Sequence, residues 1–347
     1  MIITETLRTY GRITLSMLLI WLIADQLIRI TGIGSVLPEH YSKQNFQRQA
    51  APYIEFKGAP NKLDHDQYGY RRVPNAVMED SLKISFFGGS TGYQGEPPIP
   101  ALLEEKLSNK LGRPVQVANF SVVSSNHRQH LHNIIESREF FKPDIVIFYG
   151  GYNETLQSAF YDPRPGYPYN FYYRNETSPF RQLLVRYSPT FFMLEELLTK
   201  QGVGGITGLT RLRKAEMPLT KQWNARIIDK YMETLDLSTD VASAFKSDKC
   251  TNGVFFFFYQ PYQVPDDFLA THASIREQVK HSEYGYDISN IFEKSNMPNI
   301  SVYTDIVHVR QTGRTAVANE MTALLSSDSR LLNCFDTLDS TGQAVEQ

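Results

Sequence analysis

The sequence predicts an α/β fold, a three-layer α/β/α sandwich with a mostly parallel sheet, preceded by one transmembrane helix. Three observations support this fold class. Short apolar runs rich in β-branched and aromatic residues alternate with longer stretches of helical periodicity, as in parallel βαβ units. The apolar runs are nearly continuous, which suits strands covered on both faces. The chain of 347 residues is 41% hydrophobic, which is enough to bury a complete core.

Five apolar runs are predicted to form the sheet: residues 83–87, 115–122, 144–149, 253–259 and 300–303. Apolar residues at helical spacing predict helices over residues 100–111, 219–245 and 313–325. This alternation indicates a doubly wound, flavodoxin-like sheet, and such sheets bind ligands outside the carboxyl ends of their strands. We therefore expect functional residues to follow the strands directly.

The N-terminal apolar run covers residues 13–24 and continues less cleanly through Asp25 and Arg29. A membrane-spanning helix needs about 20 residues, so it either includes Asp25 or pairs Asp25 with Arg29 near one interface. Arg8 and Arg12 precede the run, which by the positive-inside rule places the N-terminus in the cytoplasm. We favour a signal anchor. A cleaved signal peptide and a buried amphipathic helix are the alternatives, and no A-x-A cleavage site follows.

The predicted organisation has four parts. Residues 1–33 form a cytoplasmic stub and the transmembrane helix, residues 34–80 a polar linker, residues 81–325 the main domain, and residues 326–347 a C-terminal tail. Residues 155–218 interrupt the alternation and are interpreted as an insertion, either a lid or specificity region or an ordinary packing excursion. The main domain is then expected outside the cytoplasm, on a single-pass protein of the inner (cell) membrane, and in the periplasm of a Gram-negative source.

Charge and cysteine usage exclude some classes of partner. The 35 basic and 37 acidic residues give a net charge of −2, so no field favours nucleic acid as a partner. Cys250 and Cys334 belong to no metal-binding or redox motif. They are either two separate buried thiols or, in an oxidising compartment, one disulfide.

The histidines outside the main motifs do not predict a metal site. His127, His130 and His132 lack the i,i+4 pair of a helical zinc site, so we interpret them as a polar helix face. His65 is flanked by two aspartates and is interpreted as part of a solvated loop. The sequence predicts no metal and no cofactor.

Two polar residues and one backbone segment stand at the ends of predicted strands in positions suited to acyl chemistry. Ser90 follows the first strand after Gly88 and Gly89, whose glycine backbone can turn sharply and approach a substrate. Asn153 follows the third strand, and its amide can donate to a developing oxyanion. The second strand ends in residues 119–124, where a backbone N–H can supply another oxyanion donor.

Asp305 and His308 follow the last apolar run, three residues apart on one turn. In that geometry the carboxylate can hold one imidazole nitrogen while the other takes the Ser90 proton. Because all of these residues follow parallel strands, we expect them at one edge of the sheet.

In order and spacing these motifs resemble those of the SGNH (GDSL-like) hydrolases of the membrane-anchored bacterial type. The matching segments are Gly88-Gly89-Ser90, the block containing Ser121, Gly151-Tyr152-Asn153-Glu154 for G-x-N-D, and Asp305 to His308 for D-x-x-H. The resemblance covers residues 80–325, much of the insertion excepted. It implies Ser90, Asp305 and His308 as catalytic residues, and an oxyanion hole made of Ser90, Ser121 and Asn153.

The sequence departs from the family pattern at three positions. Gly89 replaces the usual aspartate, Glu154 replaces the aspartate after the asparagine, and Ser121 replaces a glycine, adding a side chain that can crowd the oxyanion hole. Residues 66–71 (DQYGYR) also resemble a segment that precedes the catalytic block in anchored members, without an assigned role.

The resemblance implies a serine-dependent ester hydrolase, similar to carbohydrate esterases and deacetylases. With an exoplasmic domain it suggests acyl esters of a surface polysaccharide, such as O-acetyl groups, as substrate, and polysaccharide-biosynthesis proteins as partners. Two alternatives stay open: an O-acyltransferase using the same serine chemistry, and a non-catalytic glycan-binding or assembly protein on the same scaffold.

Overall fold

The computed structural model describes residues 2–31, 48–51, 54–61, 64–74, 76–155, 188–191, 193–194, 221–247, 249–250 and 252–334. They divide into two compact units, one containing the N-terminal helix and part of the predicted insertion, the other containing the main domain. The rest of the insertion predicted over residues 155–218 lies outside the described residues.

The N-terminal helix α1 spans Ile2–Thr31. The stretch Arg8–Thr31 has a mean hydropathy of 1.7 and is 6% buried. Its length and composition allow it to cross a membrane, but a signal sequence has the same length and composition. Asp25 is nevertheless buried, because its carboxylate accepts the Ser188 hydroxyl and the Thr190 N–H, both at 2.9 Å. These partners were not predicted, since they lie more than 160 residues further along the chain.

The strands fall into two sheets. The first is a two-stranded sheet of β1 (Arg48–Ala51) and β2 (Glu55–Gly58). The main sheet has five strands: β3 (Leu82–Gly88), β4 (Val115–Asn119), β5 (Ile145–Gly150), β6 (Val254–Tyr259) and β7 (Gly285–Asp287). Their spatial order is β4-β3-β5-β6-β7 and every neighbouring pair is parallel. This is the flavodoxin-like order, so the predicted fold class is confirmed.

Helices cover both faces of the main sheet. In chain order they are α2 (Ser90–Tyr93), α3 (Ile99–Leu111), α4 (His127–Ser137), α5 (Lys221–Ser243), α6 (Leu269–His281), α7 (Ile291–Lys294), α8 (Asn299–Val302) and α9 (Gln311–Ser327). On one face, Leu103 of α3 and Met321 of α9 pack in the core with Phe86. On the other face, His127 of α4 contacts Phe148. The alternation of side chains along the strands thus supplies both layers.

The predicted fifth strand is wrong. Residues 299–302 form the helical turn α8, and Tyr303 makes an isolated antiparallel bridge with Val309. Ile300 is 82% exposed, so the short apolar run does not lie in a covered sheet. The observed fifth strand, β7, has three residues beginning with a glycine and is too short to give an apolar pattern.

The packed part of the main domain extends beyond the predicted limits of 81 and 325. Phe56 and Tyr70, in the predicted linker, are buried, and so are Leu331 and Cys334 in the predicted tail. Cys334 forms a disulfide with Cys250, 84 residues earlier. Of the two possibilities that the sequence left open, separate thiols or one disulfide, the structure shows the disulfide.

Candidate active site

The turn that carries the predicted nucleophile Ser90, residues 88–90, is called the nucleophile turn. It lies at the carboxyl end of β3, which is an inner strand of the sheet. Ser90 is the first residue of α2, directly after Gly89. A Cβ atom on Gly89 would lie 2.5 Å from Asn153 Nδ2, which is closer than any real contact allows. The glycine that departs from the family pattern therefore gives Asn153 room to approach the turn that carries Ser90.

His308 connects Ser90 to Asp305. The His308 Nε2 atom lies 2.7 Å from Ser90 Oγ, and its Nδ1 atom lies 2.6 Å from Asp305 Oδ2. An ionised carboxylate can only accept, so the Nδ1 atom carries the ring proton and Nε2 is left to accept the Ser90 hydroxyl. The structure thus brings the three predicted residues into the geometry of a nucleophile, its base and an orienting carboxylate.

Asp305 is held by its own loop. Its Oδ1 atom accepts the backbone N–H groups of Val307 at 2.9 Å and His308 at 2.8 Å. Partial burial acts to raise the pKa of Asp305, but these N–H groups and the His308 ring outweigh it, so the pKa lies below its usual value. The carboxylate therefore stays ionised at neutral pH, and the 48% exposure of its side chain, which leaves it partly hydrated, acts in the same direction.

The loop that carries Asp305 and His308 is fastened to the sheet. The Thr304 N–H donates to the His308 carbonyl at 2.8 Å, which closes the loop on itself. The Gln263 N–H, in the segment after β6, donates to the Ile306 carbonyl at 2.7 Å. These bonds give an irregular segment a fixed position at the sheet edge.

Arg314 connects the segment after α2, at Pro97, with the segment that follows His308, at Val309. The sequence did not predict this role. From α9, the Arg314 Nη1 atom donates to the Val309 carbonyl at 3.0 Å and its Nε atom to the Pro97 carbonyl at 3.1 Å. Gly95, with a φ of +97°, packs against the guanidinium, where a Cβ atom would lie 2.4 Å from the arginine. A lone arginine in a helix gives no motif, so its position became visible only in the fold.

Asn153 lies beside the nucleophile turn, as predicted from its place after β5. Its Nδ2 atom donates to the Ser125 carbonyl at 2.7 Å. A carboxamide nitrogen carries two protons, so one bond to Ser125 orients the group and the second N–H is the donor that a substrate oxygen would use.

Ser121 does not have the predicted role in the oxyanion hole. Its N–H donates to Asn119 Oδ1 at 3.0 Å, and the residue is fully buried. Its hydroxyl lies beneath the nucleophile turn, where a Cβ atom on Gly92 would meet it at 2.5 Å. The assignment is wrong because the N–H already has a partner. Three residues later, Ser124 adopts a φ of 65°, the backbone conformation that glycine favours.

Residues 66–71 pack against α2, the helical turn that begins with Ser90. The Asp66 carboxylate organises this segment by accepting three backbone N–H groups, those of Tyr68, Tyr70 and Val73. Arg71 donates through Nε to the carbonyl of Tyr93, the last residue of α2, and through Nη2 to Glu96. The segment without an assigned role therefore supports the helix that begins with Ser90.

Three histidines are more buried than predicted. His127 and His130 are each 1% exposed, because the i,i+3 spacing directs both toward Phe148 under α4. Burial lowers the pKa of His127 well below its ordinary value and that of His130 to about 3. His65 is also buried, with its ring edge-on to Tyr93. Within the described part of the chain, no three His, Cys, Asp or Glu side chains could hold a metal ion together.

Comparison with known proteins gives likenesses of fold. No protein-family model and no curated protein matches the sequence. LAE5, an alpha/beta hydrolase from the metagenome of Lake Arreo, is 14% identical, with 73% of this chain and 98% of that chain covered and a TM-score of 0.40. The acetylxylan esterase Axe2 of Geobacillus stearothermophilus is 12% identical, with 72% and 96% covered and a TM-score of 0.39.

A member of the lipolytic G-D-S-L family from Veillonella parvula is 11% identical, with 72% of this chain and 100% of that chain covered and a TM-score of 0.40. These neighbours are an alpha/beta hydrolase, an acetylxylan esterase and a lipolytic protein. At such identities and TM-scores they do not assign an activity to this chain.

Proposed function

We propose that this protein is a serine-dependent ester hydrolase. The observation that carries the proposal is the continuous contact from Asp305 through His308 to Ser90, with distances of 2.6 and 2.7 Å. A hydroxyl is a weak nucleophile until a neighbouring base accepts its proton, and the base works best when a third group fixes its tautomer. Each of these requirements is met by a named atom.

The reaction follows from the positions of these atoms. Ser90 Oγ attacks the ester carbonyl while His308 Nε2 takes its proton, and Asp305 stabilises the imidazolium that forms. The Asn153 amide and the Ser90 N–H donate to the oxyanion of the tetrahedral intermediate. His308 then gives the proton to the leaving alkoxide, and a water molecule, deprotonated by the same imidazole, releases the acyl group from Ser90.

The substrate and location are further parts of the proposal. A helix able to span a membrane and Arg8 and Arg12 before its apolar part favour a single-pass protein with an exoplasmic, periplasmic domain. The disulfide between Cys250 and Cys334 supports an oxidising compartment. With the motif resemblance, this favours acyl esters of a surface polysaccharide as substrate and the proteins that build the polysaccharide as partners.

Fluorophosphonate labelling of the full chain in detergent tests the nucleophile. We expect a single adduct on Ser90, found by mass spectrometry, and loss of p-nitrophenyl acetate hydrolysis in Ser90→Ala. The matched control is Ser327→Ala, which removes the hydroxyl of an exposed residue on α9 and should leave both readouts unchanged. An adduct on another serine, or full activity in Ser90→Ala, would show that the assignment is wrong.

Product analysis separates hydrolysis from the alternative of acyl transfer. An acetylated polysaccharide incubated with the enzyme should release free acetate in amounts that match the lost ester groups. Acetate that moves instead onto an added, unmodified polysaccharide would favour the acyltransferase.

Protease added to spheroplasts tests the orientation in the membrane. It should digest the domain if the domain is exoplasmic, and a protected domain would contradict the proposed orientation.

A further inference from the structure

Glu154, the residue after Asn153, is a buried carboxylate that the proposed mechanism does not use. Its Oε2 atom accepts the Gly151 N–H at 2.8 Å, and its Oε1 atom accepts the His127 N–H at 2.9 Å. The first bond closes the turn that carries Asn153. The second joins that turn to the first residue of α4.

Asn153 and Glu154 are thereby attached to the same neighbouring segment. The Asn153 amide donates to the Ser125 carbonyl, and the Glu154 carboxylate accepts from His127 two residues later. Asn126, between them, caps α4 through its side chain and the N–H of Gln129, so this segment is itself fixed. The direction of the Asn153 amide depends on both attachments.

The surroundings of Glu154 are polar but closed to solvent. His127 Nε2 lies 3.5 Å from Glu154 Oε1, and a cavity of about 10 Å³ adjoins the carboxylate, room for one water molecule. The titratable and charged groups around Glu154 are His127 and Arg128 from α4, Tyr231 from α5 and Tyr262 after β6, and His130 packs as a neighbour of the His127 ring. The tyrosines are neutral near pH 7, because burial raises the pKa of Tyr262 to about 12 and that of Tyr231 further.

We propose that Glu154 is a positioning residue for the oxyanion donor, and that its ionised carboxylate holds the Asn153 turn against α4. The inference rests on the proposed esterase function and adds a control of that same site by the charge of a residue that does not touch the substrate.

Protonation of Glu154 would loosen this attachment. A proton on Oε1, directed at His127 Nε2, would weaken the bond that this oxygen accepts from the His127 N–H, because a neutral carboxyl oxygen is a poorer acceptor than a carboxylate oxygen, while Oε2 keeps its bond to Gly151. Burial raises the pKa of Glu154 to about 7, although three backbone hydrogen bonds act to lower it. The oxyanion site should therefore weaken as the pH falls through neutrality and be fully formed at alkaline pH.

The test compares Glu154→Gln and Glu154→Asp in the full chain, with p-nitrophenyl acetate as substrate. We expect kcat and kcat/KM of Glu154→Gln to fall together by about tenfold, with KM unchanged, because oxyanion contacts act only in the transition state. Glu154→Asp keeps an ionisable acceptor and should recover part of the loss. The acid-side decrease in rate should be less steep in Glu154→Gln than in the wild type, because the variant loses the protonation of Glu154 and keeps only that of the base, His308.

The matched control is Glu104→Gln. Glu104 also accepts a backbone N–H, that of Val117 at 2.8 Å, but on α3, under the opposite face of the sheet. The Glu104→Gln variant should differ from the wild type in its free energy of unfolding, with the same kcat and the same pH profile. Equal kcat and equal profiles for the wild type and Glu154→Gln, both folded by circular dichroism, would overturn the inference while leaving the esterase proposal intact. A wild type that neither hydrolyses the ester nor takes the phosphonate on Ser90 would overturn the proposed function and the inference with it.

Discussion

Two pairs of a carboxylate and a histidine lie at the same edge of the sheet in different surroundings. In both pairs the carboxylate accepts backbone N–H groups. Asp305 accepts those of Val307 and His308, and Glu154 accepts those of Gly151 and His127 and its own. In the first pair the Asp305 side chain is 48% exposed and the His308 side chain 20%, and the pKa of the Asp305 carboxyl is lowered. The Glu154 pair is buried, and burial raises the pKa of its carboxyl to about 7.

Glu154 has three backbone donors and Asp305 has two, yet only the pKa of Glu154 is raised, so desolvation outweighs the backbone hydrogen bonds at the buried carboxylate. A partly hydrated carboxylate such as Asp305 stays charged and can stabilise an imidazolium. A fully buried one such as Glu154 titrates near neutrality and is suited to responding to pH. Only the first imidazole also reaches a hydroxyl, that of Ser90.

Replacing the exposed carboxylate should have the largest effect. Asp305→Asn keeps the size of the side chain but removes the acceptor that fixes the His308 tautomer, and we expect kcat to fall by about 10⁴-fold. Stopped-flow or steady-state hydrolysis of p-nitrophenyl acetate measures it. The control is Asp328→Asn, another carboxylate with a lowered pKa and a backbone donor, which should lower stability but not kcat. Equal losses in the two variants would contradict a catalytic role for Asp305.

Removing the oxyanion donor next to the buried pair should have the second largest effect. Asn153→Ala deletes the amide beside Gly89, and the loss of one such donor is worth about 10²- to 10³-fold in kcat. KM should stay nearly constant, since the donor meets the oxyanion and not the ground state. Asn299→Ala, at an exposed helix start, is the control and should have no effect on either constant. A rise in KM with unchanged kcat would mean that Asn153 binds substrate instead.

The fold could be predicted to a large extent because four of the five strands are long and covered on both faces. Buried strands such as β5 and β6 leave continuous apolar runs that the sequence displays directly. β7 was missed because three residues leave no period to detect, and its pairing comes from the neighbouring β6. Residues 300–303 were misassigned because a run of four residues is too short to distinguish a strand from a helical turn by its apolar pattern.

The site could be predicted where a motif follows a strand, as for Ser90 and Asn153. The structure places both beside each other, as that reasoning expected. Ser121 was misassigned because spacing alone does not reveal which N–H is already bonded within the fold. Arg314 and Glu154 act through backbone carbonyl and N–H groups, and backbone contacts between distant segments leave no pattern in a sequence.

The two carboxylates should affect stability with opposite dependence on pH. Asp305 has a lowered pKa when folded, so its contribution is present above its unfolded pKa of about 3.9 and is lost as the pH falls. Glu154 has a raised pKa, so its contribution is present below 4.5 and is lost as the pH rises through about 7. That loss is on the order of 3 kcal/mol in the free energy of unfolding.

Urea unfolding of the wild type and Glu154→Gln between pH 4.5 and 8 measures this second contribution. The decrease in stability with rising pH should be smaller in the variant by about the same amount. Parallel curves for the two proteins would indicate that Glu154 is hydrated and titrates normally, which would also remove the physical basis for the difference between the two pairs.

The smallest predicted effect comes from the contact between Gly89 and Asn153. In Gly89→Ala the new methyl group would lie 2.5 Å from Asn153 Nδ2, so the amide must shift, and we expect kcat to fall by about tenfold. Gly112→Ala is the control, because Gly112 has a φ of 62° with open space around it and loses only stability. A double-mutant cycle makes the prediction specific. If the methyl group acts by displacing Asn153, then Gly89→Ala should cost nothing further in the Asn153→Ala background, whereas an additive loss would place its effect on Ser90 itself.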